Sequence, residues 1–152
     1  MANLIIKPAS ASDSLKLQDG AGADIVTVST NKVDYGKGIT EKHVAYTQGA
    51  AGITLDLAAG NFFHFTLTEN VTGWTFSNLA AAGSASSWII KIQQRASGTG
   101  FTVAYPNTVH WAGGTDHVMS TANNAVDIIS MFHINHSGSN IIYASIVGKA
   151  FA

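Results

Sequence analysis

Apolar and polar residues alternate along most of the chain beyond residue 40. Ile53, Leu55 and Leu57, for example, are separated by Thr54 and Asp56. Later stretches repeat this period of two: residues 63–67, 88–92, 101–105, 126–134 and 142–146. Successive side chains of a strand point to opposite faces, and Gly, Asn and Ser turns separate the stretches. The pattern predicts an all-β fold, with an antiparallel β-sandwich or jelly-roll-like domain over residues 39–152.

Some of the predicted strands are apolar on both faces. This holds for residues 87–92 and 141–147. In the stretch 126–134, four apolar residues share one face: Val126, Ile128, Phe132 and Ile134. The outer face of a two-layer domain is normally polar. Apolar side chains on it therefore predict a second surface that is buried on association, which in a small chain indicates a subunit interface.

Residues 1–38 form a predicted N-terminal β-arm and linker. Three short β-like runs, 4–7, 14–18 and 25–28, are separated by segments rich in Ser, Ala, Gly and Asp. Runs this short bury too little surface to be stable alone. The arm either lies on its own domain or completes its fold against other subunits, and the sequence leaves both arrangements open. In the second, the partner-binding side chains are Leu4, Ile6, Leu15, Leu17, Ile25 and Val26.

Composition and charge argue against several classes of function. The chain has 152 residues, of which 46% are hydrophobic and 11% charged, with a formal net charge of −1. Such a chain has no basic surface with which to attract nucleic acid or anionic lipid, so we expect neither partner. No apolar run is long enough to span a bilayer, and the first residues lack the pattern of a signal peptide. The absence of cysteine excludes disulfides and thiolate chemistry and suits a reducing cytoplasm.

The histidines are the strongest candidates for metal ligands, but their spacing does not favour a site. His133 and His136 are three residues apart, which places them on opposite faces of a strand. His110 and His117 flank a Gly-Gly turn. No third ligand is evident for either pair, and catalytic zinc needs three protein ligands. We expect no metal and no other cofactor.

Other candidate chemistry is also weak. A glycosidase needs two carboxylates at a fixed separation, and only folding would bring Asp56, Asp116 and Asp127 together. The run Gly20-Ala21-Gly22 lacks the third glycine and the helix of a dinucleotide-binding loop. The three tryptophans would suit a carbohydrate platform, but their strand parity favours core packing for Trp88 and a cap on the domain end for Trp111. We expect no catalytic residues and no enzyme activity.

The order of several segments resembles a β-domain found in virion proteins of tailed bacteriophages, including tail fibres and capsid decoration proteins. A strand closes on Pro106, and a Trp-Ala-Gly-Gly-Thr turn follows at residues 111–115. The other matching segments are 14–19, 60–68, 88–94 and 126–132.

This resemblance implies a structural role on the virion. A chain of this length is short for a fibre that bridges capsid and cell, which favours a capsid decoration, or cement, protein. Family members of that kind are homotrimers on the capsid surface, so the implied partners are the major capsid protein and further copies of the chain, which would be made in the bacterial host cytoplasm. The alternative is a short tail-fibre or tip protein that binds a host surface glycan.

Overall fold

The structure is a computed structural model that describes residues 15–28, 33–46, 48 and 51–151. The chain divides after Thr40 into two compact units. We call residues 1–40 the arm and residues 41–152 the body. Among the described residues, no helix is long and apolar enough to cross a membrane.

The described part of the arm is a three-stranded antiparallel sheet. Its strands are β1 (Leu15–Gln18), β2 (Asp24–Val28) and β3 (Val33–Tyr35), in the order β1-β2-β3. The turn between β1 and β2 is closed by Asp19, whose carboxylate accepts hydrogen bonds from the backbone N–H groups of Ala21 and Ala23, each at 3.0 Å. The predicted run at residues 4–7 lies outside the described residues.

The body contains a six-stranded and a two-stranded sheet. The larger sheet has the order β4-β6-β8-β10-β11-β9, and β5 pairs with β7 in the smaller one. The strands are β4 (His43–Ala45), β5 (Gly52–Asp56), β6 (Phe62–Thr66), β7 (Gly73–Ser77), β8 (Ala85–Gln93), β9 (Val109–Trp111), β10 (Val126–Ile134) and β11 (Ile142–Phe151). A 3₁₀ turn at Ala112–Gly114 follows β9. The prediction of an all-β fold is confirmed.

Strand direction differs from the expected antiparallel pattern in the first half of the body. From β4 to β8 the chain alternates between the two sheets, so that β4, β6 and β8 pair in parallel in one sheet and β5 and β7 in the other. Each crossover is a strand of the opposite sheet, so short connections suffice. Antiparallel pairing is found between β8 and β10 and between β10 and β11, while β9 is parallel to β11. A period of two is the same in both directions, so the sequence pattern could not distinguish them.

One hydrophobic core contains side chains from both sheets. Ile53 and Leu55 of β5 face Phe65 of β6 and Ile90 and Ile92 of β8, and all five side chains are almost completely buried. Aromatic rings extend this core, because Trp74 stacks on Phe76 and on Tyr105 with centroid distances of 5.9 and 5.7 Å. Side chains of both sheets thus belong to one buried cluster.

Candidate interaction surfaces

The arm sheet has one entirely apolar face. The strand register aligns Leu15 with Val28 and Val33, and Leu17 with Val26 and Tyr35, in two rows across the three strands. Directly opposed residues lie on the same face of a sheet. We call this surface the arm face; its members are Leu15, Leu17, Val26, Val28, Val33 and Tyr35. Leu17 is 58% exposed and Tyr35 56% exposed, so the face is open to solvent.

The opposite face of the arm sheet is polar. Lys16 donates a hydrogen bond from Nζ to Oδ2 of Asp24 at 2.7 Å, and Gln18 donates from Nε2 to Oδ1 of the same carboxylate at 2.9 Å. These two donors hold the pKa of Asp24 below its ordinary value. The arm therefore places its charges on one face and its apolar side chains on the other.

The structure describes four of the six arm residues that were predicted to bind a partner. Leu15, Leu17 and Val26 share the arm face. Ile25 is the extra residue of β2 where the register shifts between Leu17 and Gln18, and no residue of β1 is aligned with it. Leu4 and Ile6 lie outside the described residues. The sequence pattern missed Tyr35 and Val33, because the third strand was taken for part of a linker.

The outer face of the six-stranded sheet is also rich in apolar side chains. We call it the body face; its members are Phe62, Ile89, Ile128, Phe132, Ile134 and Tyr143. Phe132 and Tyr143 are directly opposed in the register and stack with ring centroids 5.2 Å apart. Phe132 is 43% exposed and Ile134 52% exposed. Residues 87–92 and 141–147, which are apolar on both faces, contribute Ile89 and Tyr143 to this surface.

The face of β10 that carries four apolar residues does not point into the core. Val126, Ile128, Phe132 and Ile134 point outward. The buried parity is that of Asp127, Ile129, Met131 and His133. Asp127 and His133, the two polar residues of this buried set, are each hydrogen-bonded inside the fold.

A groove with basic residues lies beside the apolar side chains of the body face. Its volume is about 500 Å³, and it is lined by His43, Phe62, Phe63, His64, Ile89, Lys91 and Ile128. The rings of His43 and His64 stack at 5.9 Å. Burial lowers the pKa of His64, and the neighbouring charge of Lys91 lowers it further, while a hydrogen bond with Gln93 opposes both. Lys91 carries the one ammonium group among these lining residues.

One buried polar cluster of the body is centred on Asp127. Its Oδ2 accepts hydrogen bonds from the backbone N–H of Ser120 at 2.9 Å and from Nε2 of His117 at 2.8 Å, and its Oδ1 accepts one from the N–H of Ala150 at 2.9 Å. Burial alone would raise the pKa of Asp127, but the backbone donors of Ala150 and Ser120 and the side chain of His117 outweigh it and lower the pKa. The cluster ties the loop before β10 to the end of β11.

This cluster is not arranged for nucleophilic catalysis. Ser120 contacts the carboxylate through its backbone N–H, and His117 is bonded to the carboxylate through Nε2. A catalytic triad needs the serine hydroxyl on the other nitrogen of the histidine. The carboxylates that might have formed a glycosidase pair have separate partners, since Asp56 is bonded to Asn78 and to the N–H of Ala58.

The histidines and the buried amide of Gln94 have structural contacts. His133 is fully buried, with Nε2 2.8 Å from the carbonyl oxygen of Ser139. Gln94 is also fully buried, and its side chain bonds to the backbone of Phe101 and Ser120. Gln94 continues the buried parity of β8, which is the signal that could have identified it. Within the described ranges no three His, Asp or Glu side chains are grouped to hold a metal.

The tryptophans belong to the core rather than to an exposed platform. Trp88 is 2% and Trp111 8% exposed. Trp74 is half-buried and donates a hydrogen bond from Nε1 to the carbonyl of Ala104 at 3.0 Å. The exposed stacked rings are instead Phe132 and Tyr143, whose edge contacts His110 at a centroid distance of 6.2 Å.

Comparisons of the chain with models of known protein families, with curated protein sequences and with solved structures found no match.

Proposed function

We propose that this chain is a structural virion protein of a tailed bacteriophage, acting as a capsid decoration protein that trimerises and stabilises the capsid shell. Its partners are the major capsid protein and two further copies of itself, its place is the capsid surface, and it is made in the host cytoplasm. The two sheets around one core support grouping the body with β-sandwiches. The observation that carries the assembly role is the body face, an apolar surface that a solitary small domain would not keep exposed.

The body face suits contact with another subunit. Phe132, Ile134 and Tyr143 lie together at one end of β10 and β11, and the ring of Tyr143 contacts the imidazole of His110. Burying apolar surface is favourable by roughly 25 cal/mol per Å². Large aromatic side chains contribute most to such contacts, so this end of the face is the proposed centre of the trimer interface.

The arm supplies the proposed link to the capsid shell. β1 and β3 are the outer strands of the arm sheet, and each has one edge to which no described strand is paired. An edge of this kind can accept an additional strand from a partner through backbone hydrogen bonds. Three arms in a trimer would engage the shell together, and each further contact would benefit from the high effective concentration that the first one creates.

The test is the stability of particles with and without the protein. Subunits that bind the assembled shell but not its dissociated pieces shift the equilibrium toward the shell by mass action. We therefore expect particles that lack the protein to disrupt at a lower temperature than decorated ones, and added protein to restore the difference. Equal disruption temperatures would refute the stabilising role.

A glycan-binding tail protein is the second candidate, and the stacked pair of Phe132 and Tyr143 favours it. Exposed aromatic rings with a nearby polar group such as His110 can present one apolar and one hydrogen-bonding side to a ligand. Copy number separates the two functions. Quantitative mass spectrometry of purified virions would give hundreds of copies for a decoration protein and at most a few tens for a tail protein.

A further inference from the structure

The arm face is an exposed apolar surface of the described chain. Neither the packing of the core nor the polar clusters of the body explain why it is apolar. Its six members contain no charged group, and the phenol of Tyr35 is the one polar group among them. The charged side chains Lys16 and Asp24 lie on the other side of the same sheet and satisfy each other. The sheet thus has one polar and one apolar face, and the apolar face is open to solvent.

We propose that the arm face packs against the arm faces of other copies of this chain, so that the arms associate with one another. The stoichiometry of three rests on the proposed homotrimer, while the homotypic contact itself rests on the arm face alone. In this arrangement the capsid protein would bind the strand edges of β1 and β3.

Charge favours a second copy over an unrelated partner as the occupant. Like surfaces repel when they carry net charge, but the arm face carries none, so identical faces meet without electrostatic cost. The face also offers no charged group by which a different protein would be recognised and others rejected. Its shape suits self-packing as well, because the small Val26 of the central strand lies between Leu17 on one side and Tyr35 on the other. Large edge side chains of one copy can therefore fill the shallow centre of the next.

The area of the arm face limits how much surface a homotypic contact can bury. The exposed members leave roughly 400 Å² of apolar surface on each arm, as large as the largest patch on a typical monomer. Two copies would together bury roughly 800 Å², which is the size of an ordinary crystal contact. Three copies would bury roughly 1,200 Å² in total, divided over three pairwise contacts of roughly 400 Å² each. The arm contact is thus small in either stoichiometry and would add to the proposed trimer interface on the body face.

The absence of cysteine in the full chain allows a direct test by cross-linking. Val26→Cys places a single thiol at the centre of the arm face, and Thr27→Cys places it one residue further along β2 on the opposite face. We expect a short bis-maleimide to join full-length Val26→Cys chains into covalent dimers and to leave Thr27→Cys chains single. Equal cross-linking of the two variants, or none of either, would overturn the proposal.

A second variant tests the contact without a cross-linker. Leu17→Lys puts a charge into the arm face at a position that is exposed in the single chain, so the chain should still fold. A buried unpaired charge is strongly unfavourable, and we expect self-association to weaken about tenfold or more in light scattering. Lys16→Leu, on the polar face, is the matched control and should associate as the unmodified chain does. Unchanged association of Leu17→Lys would contradict the homotypic contact.

The outcome of these cross-linking and association experiments is independent of the outcome of the particle-stability test. If the Val26→Cys chain cross-links but the protein never binds phage particles, the arm contact stands and the decoration role falls. If the protein decorates particles while the Val26→Cys thiol remains uncross-linked, the decoration role stands and the arm contact falls.

Discussion

A carboxylate with no solvent contact joins three parts of the body at Asp127. Its two oxygens accept hydrogen bonds from Ser120, His117 and Ala150, which belong to a loop and to the end of β11. A buried ionised group is stable only when such donors surround it. At the scale of single residues, then, the body depends on one fully satisfied charge.

We expect Asp127→Ala to destabilise the body by about 3 kcal/mol, because it leaves buried N–H donors without an acceptor. The folded pKa is lowered relative to the unfolded chain. The contribution is therefore present above the unfolded value, about 3.9, and is lost as the pH falls through the folded value. Urea unfolding at neutral pH and at about pH 3 should show a larger loss in the unmodified chain than in the variant. Asp116→Asn, at an exposed position, is the control and should retain the full acid dependence.

A second prediction concerns His64 in the basic groove. Burial and the charge of Lys91 lower its pKa, so Lys91→Gln should raise the pKa of His64 while leaving it below the ordinary value. NMR titration of the imidazole signals would measure the change. Lys149→Gln, whose ammonium group contacts the carbonyl of Val118, should leave the pKa of His64 unaltered. A pKa that is the same in both variants would show that Lys91 does not act on this histidine.

At the scale of elements, the sequence predicted where the strands lie, but not always which face of a strand is buried or how the strands pair. The alternation in β5, β6 and β8 identified buried Ile53, Phe63 and Ile90 because their outward neighbours are polar or the strand is central. In β10 both parities are apolar, and only partners elsewhere in the fold decide that Asp127 lies inside and Phe132 outside. Parallel pairing and the third arm strand were missed for the same reason, since each is fixed by contacts between segments.

Neighbouring isoleucines in β8 test which parity is buried. Ile90 is fully buried and Ile89 is partly exposed on the body face. We expect Ile90→Ala to reduce the free energy of unfolding by about 3 kcal/mol, because it leaves a cavity in the core. Ile89→Ala should cost less than about 1 kcal/mol when measured at a concentration where the chain is a monomer. Equal losses would mean that the two residues are not on opposite faces.

At the scale of the whole molecule, the hydrophobic core belongs entirely to the body. Every member of that core falls between residues 44 and 144. We therefore expect deletion of residues 1–30 to leave the thermal midpoint of the body within a few degrees of its original value, while capsid attachment is lost. Calorimetry and particle co-sedimentation would measure the two effects. Full occupancy of particles by the truncated chain would show that the arm is not the anchor.

Assembly should depend weakly on salt. The arm face and the exposed end of the body face are apolar, and screening acts mainly on exposed charges. Light scattering in about 0.1 M and about 1 M sodium chloride should give the same molar mass, or a higher one in the concentrated salt. Complete dissociation in moderate salt would contradict an apolar interface.

The winding of the chain from β4 to β8 has a consequence for how this architecture can change in length. Each turn adds one strand to each sheet in the direction of its predecessor, and β4 is the outermost strand of the larger sheet. An insertion with the pattern of β5 and β6 would extend the body by one coil at that margin and leave the strands β8 to β11 undisturbed. Growth by whole coils would thus allow a longer protein with the same aromatic surface at its far end.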